Sequence, residues 1–220
     1  MINVSEMFHT IQGEASFTGT PSIFIRLQYC DVGCPWCDTK YTWQLNESDH
    51  DDELTNERGR YASYTDEELV ERIVEYANDH GMPNPHIVFT GGEPCAYDLT
   101  NVTHALNLRM HTTQIETSGT YEIKCSALTW VTVSPKINMP GGRQVLSSAL
   151  TRANEIKMPV GKMDDMDKLI KLLDEHNVSR KPVWLQPLSR SEKATNLCVG
   201  ACIRNGFKLS IQTHHLIGLP

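Results

Sequence analysis

The stretch SIFIRLQYCDVGCPWC, residues 22–37, decides how this 220-residue chain is interpreted, because it joins an apolar run to three closely spaced cysteines. Residues 22–28 are largely apolar and predict a strand. Cys30, Cys34 and Cys37 follow in the spacing Cys-x3-Cys-x2-Cys. A disulfide uses thiols in pairs and a structural zinc site usually takes four ligands, so three neighbouring thiols leave one position open. The pattern predicts a metal-binding loop at the end of a strand.

Similar short apolar runs alternate with helical patterns along the rest of the chain. We predict further strands over 86–90, 113–117, 130–134, 155–160, 183–187 and 208–213. Helical spacing covers 98–109, 164–176 and 191–205, and a further helix follows an N-cap at Thr65 and ends at Gly81. This alternation predicts a parallel sheet with helical crossovers. Six or seven strands are too few for an eightfold barrel, so we expect an α/β fold, an incomplete (partial) TIM-type (β/α) barrel of about six parallel strands. An open doubly wound sheet is the alternative.

Small and polar residues follow the predicted strands. The sequences TGGEP (90–94), ETSGT (116–120), SPK (134–136), QPLS (186–189) and THH (213–215) each stand where a strand ends. In parallel α/β folds the carboxyl ends of the strands meet at one rim, where ligands bind. We therefore expect these residues to share a rim with the three cysteines.

The composition narrows the class of protein. The chain is 40% hydrophobic and 21% charged, as is ordinary for a globular protein, and its net charge of -7 argues against a nucleic-acid partner. It lacks the roughly 20-residue apolar run of a membrane span and the basic, apolar start of a signal peptide. An odd number of cysteines, seven, favours reduced thiols. We expect a cytoplasmic, single-domain protein over 1–220, with the acidic stretch 44–64 as a surface insertion and with no membrane partner.

The three thiols suit an iron–sulfur centre. A [4Fe–4S] cluster normally takes four thiolates, so three would leave one iron free for another ligand. The spacing resembles the cluster motif of the radical S-adenosylmethionine (SAM) superfamily, and TGGEP resembles the superfamily's glycine-rich stretch, which holds the methionine amine of SAM. Gly91 and Gly92 allow the backbone to approach such a ligand closely. The alternative is a zinc site that adds a distant histidine, such as His9 or His50.

A narrower resemblance covers nearly the whole chain. The strings EMFHTIQGEASFTGTPSIFIRLQYCDVGCPWCDTKYTW, TGGEP, QIETSGT, VTVSPK, LQPLS and LSIQTHH resemble the 7-carboxy-7-deazaguanine synthase family, which acts in the biosynthesis of queuosine and related 7-deazapurines. The resemblance implies a carbon–nitrogen lyase that abstracts hydrogen from C6 of 6-carboxy-5,6,7,8-tetrahydropterin. Ring contraction and loss of ammonia then give 7-carboxy-7-deazaguanine. It also implies a [4Fe–4S] cluster, SAM and Mg²⁺ as cofactors, a homodimer, and an electron donor such as flavodoxin.

The resemblance also assigns residues to the cofactors. It gives the cluster to Cys30, Cys34 and Cys37, and Mg²⁺ to Thr39, an assignment that rests on the resemblance alone. The residues that it gives to SAM are Trp36, Cys37, Asp38, Gly92, Ser118, Ser134, Pro135, Lys136, Gln186, Pro187, Leu188 and Ser189.

A second set is assigned to the substrate: Ile11, Gln12, Gly13, Glu14, Arg26, Thr90, Glu116, His214 and Pro220. The residue types suit this task, because Gln12, Glu14 and Glu116 can pair with the donor–acceptor edge of a pterin. Arg26 lies inside an apolar strand and can bind the substrate carboxylate bidentately. For Pro220 the resemblance implies a role of the terminal carboxylate, and the alternative is a frayed terminus.

Two alternative functions stay open on the sequence alone. A glycyl-radical activating enzyme would share the cysteine motif, and a zinc-stabilised binding module would have no catalysis. The other four cysteines are expected to be packing residues, with an auxiliary cluster as the alternative; they are Cys95, Cys125, Cys198 and Cys202.

Overall fold

The computed structural model describes residues 1–219, and their strands form one mixed sheet. The strands are β1 Ile2–Ile11, β2 Pro21–Leu27, β3 His50–Asp51, β4 Tyr61–Tyr64, β5 His86–Gly91, β6 Thr113–Thr117, β7 Trp130–Val133, β8 Glu155–Val160, β9 Val183–Pro187 and β10 Lys208–Leu209. Their order across the sheet is β10-β9-β8-β7-β6-β5-β2-β1-β4-β3. Pro220, a predicted substrate residue, lies outside the described residues.

The strands from β2 through β5 to β10 run parallel to one another in chain order. In the register, Phe24 of β2 lies beside Val88 of β5, and Val88 lies beside Gln114 of β6. Only β1 reverses direction against this set, pairing antiparallel with β2 in the described chain. This is the parallel α/β arrangement that the sequence predicts, and it directs the carboxyl ends of β2 and β5–β10 to one rim.

The helices are α1 Asp66–Asp79, α2 Thr100–Leu108, α3 Ser147–Arg152, α4 Met163–Glu175, α5 Glu192–Asn205 and α6 Thr213–Leu216. Helices α1–α5 lie between strands in the chain, and α6 follows the last strand. The predicted capping box at Thr65 is present: its hydroxyl accepts from the Glu68 amide at 3.2 Å, and the Glu68 carboxylate accepts from the Thr65 amide at 2.8 Å. At the far end of α5, Gly206 has φ of +70°, which favours glycine at a helix terminus. Over residues 1–219 no helix is long and apolar enough to span a bilayer.

The hydrophobic core lies between the helices and the outer face of the sheet. Alternate residues of β2, such as Ile23 and Ile25, pack with Leu69 and Ile73 of α1 and are fully buried. A second core group joins β7–β9 to α4 and α5. Each buried Ile or Leu contributes ~1.5–3 kcal/mol. Since the outer positions supply the core, the intervening positions on the inner face are free to carry polar side chains.

The structure differs from the predicted strands at both ends of the sheet. The sequence analysis does not predict β1, and the predicted strand 208–213 ends at Leu209. The Ser210 amide still donates to the Leu185 carbonyl of β9 at 2.9 Å, but the Ser210 hydroxyl accepts from the Ala15 amide. Thr213 donates to the Gly13 carbonyl, so the chain turns from the sheet towards the loop that follows β1. The stretch 44–64 is largely exposed, yet it contributes β3 and β4, and Ala62 in β4 is fully buried.

Candidate active site

Polar side chains on the inner face of the sheet line a cleft of about 890 Å³ at the rim. This cleft contains nearly all of the predicted site residues. They are Ile11, Gln12, Gly13, Glu14, Arg26, Cys30, Cys34, Trp36, Cys37, Asp38, Thr39, Thr90, Gly92, Glu116, Ser118, Ser134, Lys136, Gln186, Pro187, Leu188, Ser189 and His214. Pro135 is buried beside the cleft without lining it. The strand ends that the sequence analysis expects at one rim therefore meet at this cleft.

One side of the cleft is the cysteine loop, residues 30–37. The Cys37 amide donates to the Cys34 carbonyl at 3.1 Å, and the Trp43 indole N–H donates to Cys37 Sγ at 3.4 Å. Thr39 Oγ1 lies 3.6 Å from the same sulfur. Within residues 1–219, no three His, Cys, Asp or Glu side chains are arranged to hold a single metal ion.

Two thiols of this loop, Cys30 and Cys34, have raised pKa values in the protein by itself. Burial raises the pKa of Cys30 to about 11, and burial also raises the pKa of Cys34 although the charge of Lys136 opposes it. A metal centre deprotonates the thiols that bind it, so ligation would reverse this state. Three thiols on one loop, with an N–H donor to sulfur beside them, are a suitable donor set for a [4Fe–4S] cluster with one open iron.

Two further loops, one after β6 and one after β7, brace the cysteine loop. Asp31 accepts hydrogen bonds from Tyr121 Oη at 2.9 Å and from Arg143 Nε at 2.7 Å. The Arg143 guanidinium lies 3.9 Å from the centre of the Tyr121 ring. The Gly141 amide donates to the Val32 carbonyl at 3.1 Å. None of these bracing residues was predicted, because each acts through a partner far along the chain.

The glycine-rich stretch holds three strand ends together. A Cβ on Gly92 would lie 2.1 Å from the Tyr29 carbonyl oxygen, so only glycine fits there. Glu93 is 1% exposed, and its carboxylate accepts from Thr117 Oγ1 at 2.6 Å and from the Ser118 amide at 2.8 Å. The close approach that the glycines permit is first of all between two protein backbones, at the junction of β2, β5 and β6.

The opposite side of the cleft is a carboxylate network, formed by Glu14, Glu116, Lys157 and the three glutamines Gln12, Gln186 and Gln212. The Lys157 ammonium, on β8, contacts Glu14 and lies 3.1 Å from Glu116 Oε1. Burial alone would raise the pKa of Glu14, but the charge and hydrogen bond of Lys157 outweigh it and lower the pKa to about 2. Burial likewise would lower the pKa of Lys157, yet Glu116 and Glu14 raise it above its usual value.

The glutamines orient the two carboxylates. Gln12 Nε2 donates to Glu116 Oε1 at 3.2 Å, and its Oε1 accepts from the Glu14 amide at 3.1 Å. Gln186 and Gln212 both donate to Glu14 Oε1, at 3.2 and 2.9 Å. Gln186 Oε1 is buried and has no hydrogen-bond partner among the described residues. It is an acceptor left over for a ligand.

Arg26 lines the cleft above this network and is paired. Its Nε lies 2.5 Å from Glu6 Oε2, and the Glu6 carboxylate also accepts from Tyr41 Oη at 3.1 Å. The sequence analysis predicts Arg26 but not Glu6, because Glu6 belongs to the unpredicted strand β1. The guanidinium keeps other N–H groups for an anion.

The segment after β10 closes the cleft. Thr213 donates from its amide and its hydroxyl to the Gly13 carbonyl, each at 3.1 Å. His214 packs on Gly13 so closely that a Cβ there would lie 2.0 Å from the imidazole Nδ1. Burial lowers the pKa of His214, although the Glu14 charge opposes it. Gly13 and His214, which are both predicted substrate residues, are therefore in direct contact.

Lys157 is the charged residue of the cleft that the sequence analysis misses most clearly. It is a cation inside the apolar run of β8, which is the same signal that identifies Arg26 in β2. The remaining cysteines behave as predicted for packing: Cys95 and Cys198 are buried in the two core groups, and Cys125 and Cys202 pack against them.

Comparisons with known proteins agree with the observed fold. Residues 24–138 match the Radical SAM superfamily. The 7-carboxy-7-deazaguanine synthase of Escherichia coli strain K12 is 46% identical over 98% of this chain and 98% of that protein. The proteins of the same name from Buchnera aphidicola and Flavobacterium psychrophilum are 44% and 32% identical, over 96% and 100% of this chain and 95% and 93% of their own. A crystal structure of QueE from Escherichia coli superposes with a TM-score of 0.87 at 45% identity, over 96% of this chain and 93% of that chain.

Proposed function

We propose, from the premise that this chain belongs to the 7-carboxy-7-deazaguanine synthase family of the radical SAM superfamily, that it converts 6-carboxy-5,6,7,8-tetrahydropterin to 7-carboxy-7-deazaguanine with loss of ammonia. It is a radical SAM lyase of the queuosine pathway, as predicted, and the partial (β/α) barrel is confirmed as its fold. This assignment replaces the activating enzyme and the zinc-stabilised module. The observation that carries it is one cleft with the cysteine loop on one side and the carboxylate network on the other.

The cysteine side suits the cofactors that the family uses. When bound, the [4Fe–4S] cluster and SAM supply the carbon radical that abstracts hydrogen from the substrate. We assign the cluster to the thiolates of Cys30, Cys34 and Cys37, which leave one iron for SAM. The Lys136 ammonium, whose Nζ lies 2.6 Å from Ser134 Oγ, has further N–H groups for a carboxylate such as that of SAM.

The remaining SAM contacts are proposed on the cysteine side of the cleft and at the end of β9. Trp36 is 46% exposed, which leaves its ring available for stacking on a planar base. Gln186 brings its unpaired buried Oε1. The other proposed contacts are Cys37, Asp38, Gly92, Ser118, Ser134, Pro187, Leu188 and Ser189, which line the cleft, and Pro135, which lies behind it.

The network side suits the substrate. A pterin carries N–H and NH₂ donors on one edge, and carboxylates are the strongest acceptors for such donors. We assign this edge to Gln12 and Glu116, and the carboxylate on C6 to Arg26, whose cation is held in place by Glu6. Ile11, Gly13, Glu14, Thr90 and His214 complete the proposed substrate site. Pro220 also stays in the proposal, on the family resemblance.

Other parts of the proposal rest on the family alone. We propose that Thr39, which is 9% exposed and lines the cleft, contributes an oxygen ligand to Mg²⁺. We also propose a single domain over 1–220, in which 44–64 is an insertion, a homodimer, a cytoplasmic location and a flavodoxin as electron donor.

Anaerobic reconstitution tests the proposed reaction. The purified protein is expected to bind ~4 iron atoms per chain. Incubation with a reductant, SAM and 6-carboxy-5,6,7,8-tetrahydropterin is expected to release 7-carboxy-7-deazaguanine, identified by mass spectrometry. Formation of 5′-deoxyadenosine from SAM without any deazaguanine would refute the ring contraction while leaving the radical SAM assignment intact.

A further inference from the structure

Lys157 has an unusual place in the floor of the cleft. It is 5% exposed, and it lies between Ile156 and Met158 in a strand whose other residues are mostly apolar and buried. A buried ammonium is costly unless charged and hydrogen-bonding partners surround it. Lys157 has two such partners, Glu14 and Glu116, which reach it from the loop after β1 and from β6.

Glu14 and Glu116 differ in how many of their acceptor positions are used by hydrogen bonds from the protein. Glu14 Oε1 accepts from two glutamines, Gln186 and Gln212, and Glu14 Oε2 accepts from Lys157. Glu116 uses only Oε1, which accepts from Gln12 and lies within reach of the Lys157 ammonium. In the described part of the chain, Glu116 Oε2 accepts no hydrogen bond. Because a carboxylate has about four acceptor positions, Glu116 keeps a free oxygen on a side chain that lines the cleft.

The positive charge of Lys157 also affects the ionisation of the carboxylates beside it. Two carboxylates that share one site without a cation retain a proton between them. Lys157 removes that constraint, and its effect on Glu14 is to bring the pKa down to about 2 despite burial. Glu14 therefore stays an anionic acceptor throughout the neutral range.

We propose that Lys157 is a positioning residue for the reaction: its ammonium fixes Glu14 and Glu116 as a pair, so that Glu116 Oε2 is presented to the N–H edge of the 2-amino-4-oxo-pyrimidine ring of the substrate. Glu14 serves chiefly as the second anchor of Lys157 and uses its acceptor positions within the protein. This inference rests on the proposed function, because it takes the tetrahydropterin as the ligand.

The variant Lys157→Met tests the proposal, since methionine keeps the unbranched apolar chain and removes the charge. The dissociation constant of 6-carboxy-5,6,7,8-tetrahydropterin is measured anaerobically by calorimetry, with SAM present and no reductant. We expect it to rise at least ~30-fold, the change that corresponds to ~2 kcal/mol for truncating one partner of a buried charge pair. Iron content and the affinity for SAM are expected to stay at the wild-type level.

The matched control is Lys168→Met. Lys168 lies on α4 and pairs with Asp164 at 2.8 Å on the surface, so the same chemical change is made away from the cleft. Its substrate affinity is expected to equal that of the wild type. Equal affinity in Lys157→Met as well would overturn the proposal.

The pH profile separates positioning from a merely structural role. Wild-type affinity is expected to stay flat between pH 6 and pH 9, because Lys157 keeps Glu14 ionised. In Lys157→Met the two carboxylates share a proton, so affinity should be lowest at acid pH and recover as the pH rises. A flat profile in this variant would contradict the proposal.

The double variant Glu14→Gln, Lys157→Met removes one negative and one positive charge together. It leaves Glu116 as a lone carboxylate, so the recovery at high pH should disappear while affinity stays at least tenfold below wild type. If Lys157→Met does not fold, this double variant decides alone, and wild-type affinity in it would refute the positioning role. Failure of the wild type to make any deazaguanine would instead refute the proposed function.

Discussion

The two sides of the cleft respond to burial in opposite ways. In the cysteine loop, burial raises the pKa of Cys30 and Cys34, so the thiols stay neutral until a metal centre binds them. In the carboxylate network, burial is outweighed by Lys157, and Glu14 stays charged with a pKa of about 2. The protein itself supplies the counter-charge on the proposed substrate side, whereas the cysteine thiolates would obtain one from the metal centre that they are proposed to bind. Substitutions and changes of pH should therefore affect the two sides differently.

The largest effect is expected at the cysteine loop. Cys30→Ala removes one of the three proposed cluster ligands, and we expect iron binding and product formation to fall to background, measured by iron analysis and the absorbance of the reconstituted protein. Cys202→Ala is the control, because Cys202 packs against the core and should leave the iron content unchanged. Full iron binding by Cys30→Ala would remove this residue from the ligand set.

The next largest effect is expected at Glu93, which connects strand ends beneath the cleft. Glu93 joins the end of β5 to β6, and Glu93→Ala leaves donors from Cys95, Thr117 and Ser118 without an acceptor. At ~1–3 kcal/mol for each unsatisfied buried group, we expect the free energy of unfolding of the iron-free protein to fall by about 4 kcal/mol. Denaturant titration measures it.

The matched control is Glu175→Ala, which removes a surface carboxylate 3.7 Å from Lys171 and should change the free energy of unfolding by less than ~0.5 kcal/mol. Equal stability of both variants would show that Glu93 contributes nothing to holding the strand ends together.

The network side should be sensitive to acid. The pKa of Glu14 is lowered in the folded protein, so its contribution to stability is complete above its unfolded value of 4.5 and is lost as the pH falls towards 2. The loss is of order ~3 kcal/mol. We expect the iron-free wild type to lose more stability than Glu14→Gln between pH 6 and pH 3. Parallel pH curves would contradict the ionised state of Glu14.

The smallest effect concerns the brace of the cysteine loop. Arg143 and Asp31 are about one-third exposed, so their ion pair contributes ~1 kcal/mol or less to stability. We nevertheless expect Arg143→Ala to lose its reconstituted cluster severalfold faster in air, because the loop that carries the cysteines becomes less constrained. Absorbance decay measures this rate, and Arg204→Ala, on the exposed end of α5, is the control. Equal decay rates would show that the brace does not protect the cluster.

The same contrast explains what the sequence could predict. The cysteine spacing, the apolar runs of β2 and β5, and the capping box at Thr65 are signals within a few residues, and each is found where it was predicted. Lys157 and Glu6 act through partners that are 143 and 20 positions away in sequence, so their pairing requires the folded sheet. The strand β1 was missed because a register shift between Val4 and Glu6 interrupts its alternation. Site residues on strand ends were predictable, but their counter-charges were not.

The contact between the segment after β10 and the loop after β1 has a consequence for protein synthesis. The contacts that brace the cysteine loop involve no residue beyond Arg143, whereas Glu14 waits for Gln212, which is made 198 residues later. On the ribosome, the contacts that brace the cysteine loop can therefore form long before the carboxylate network is complete.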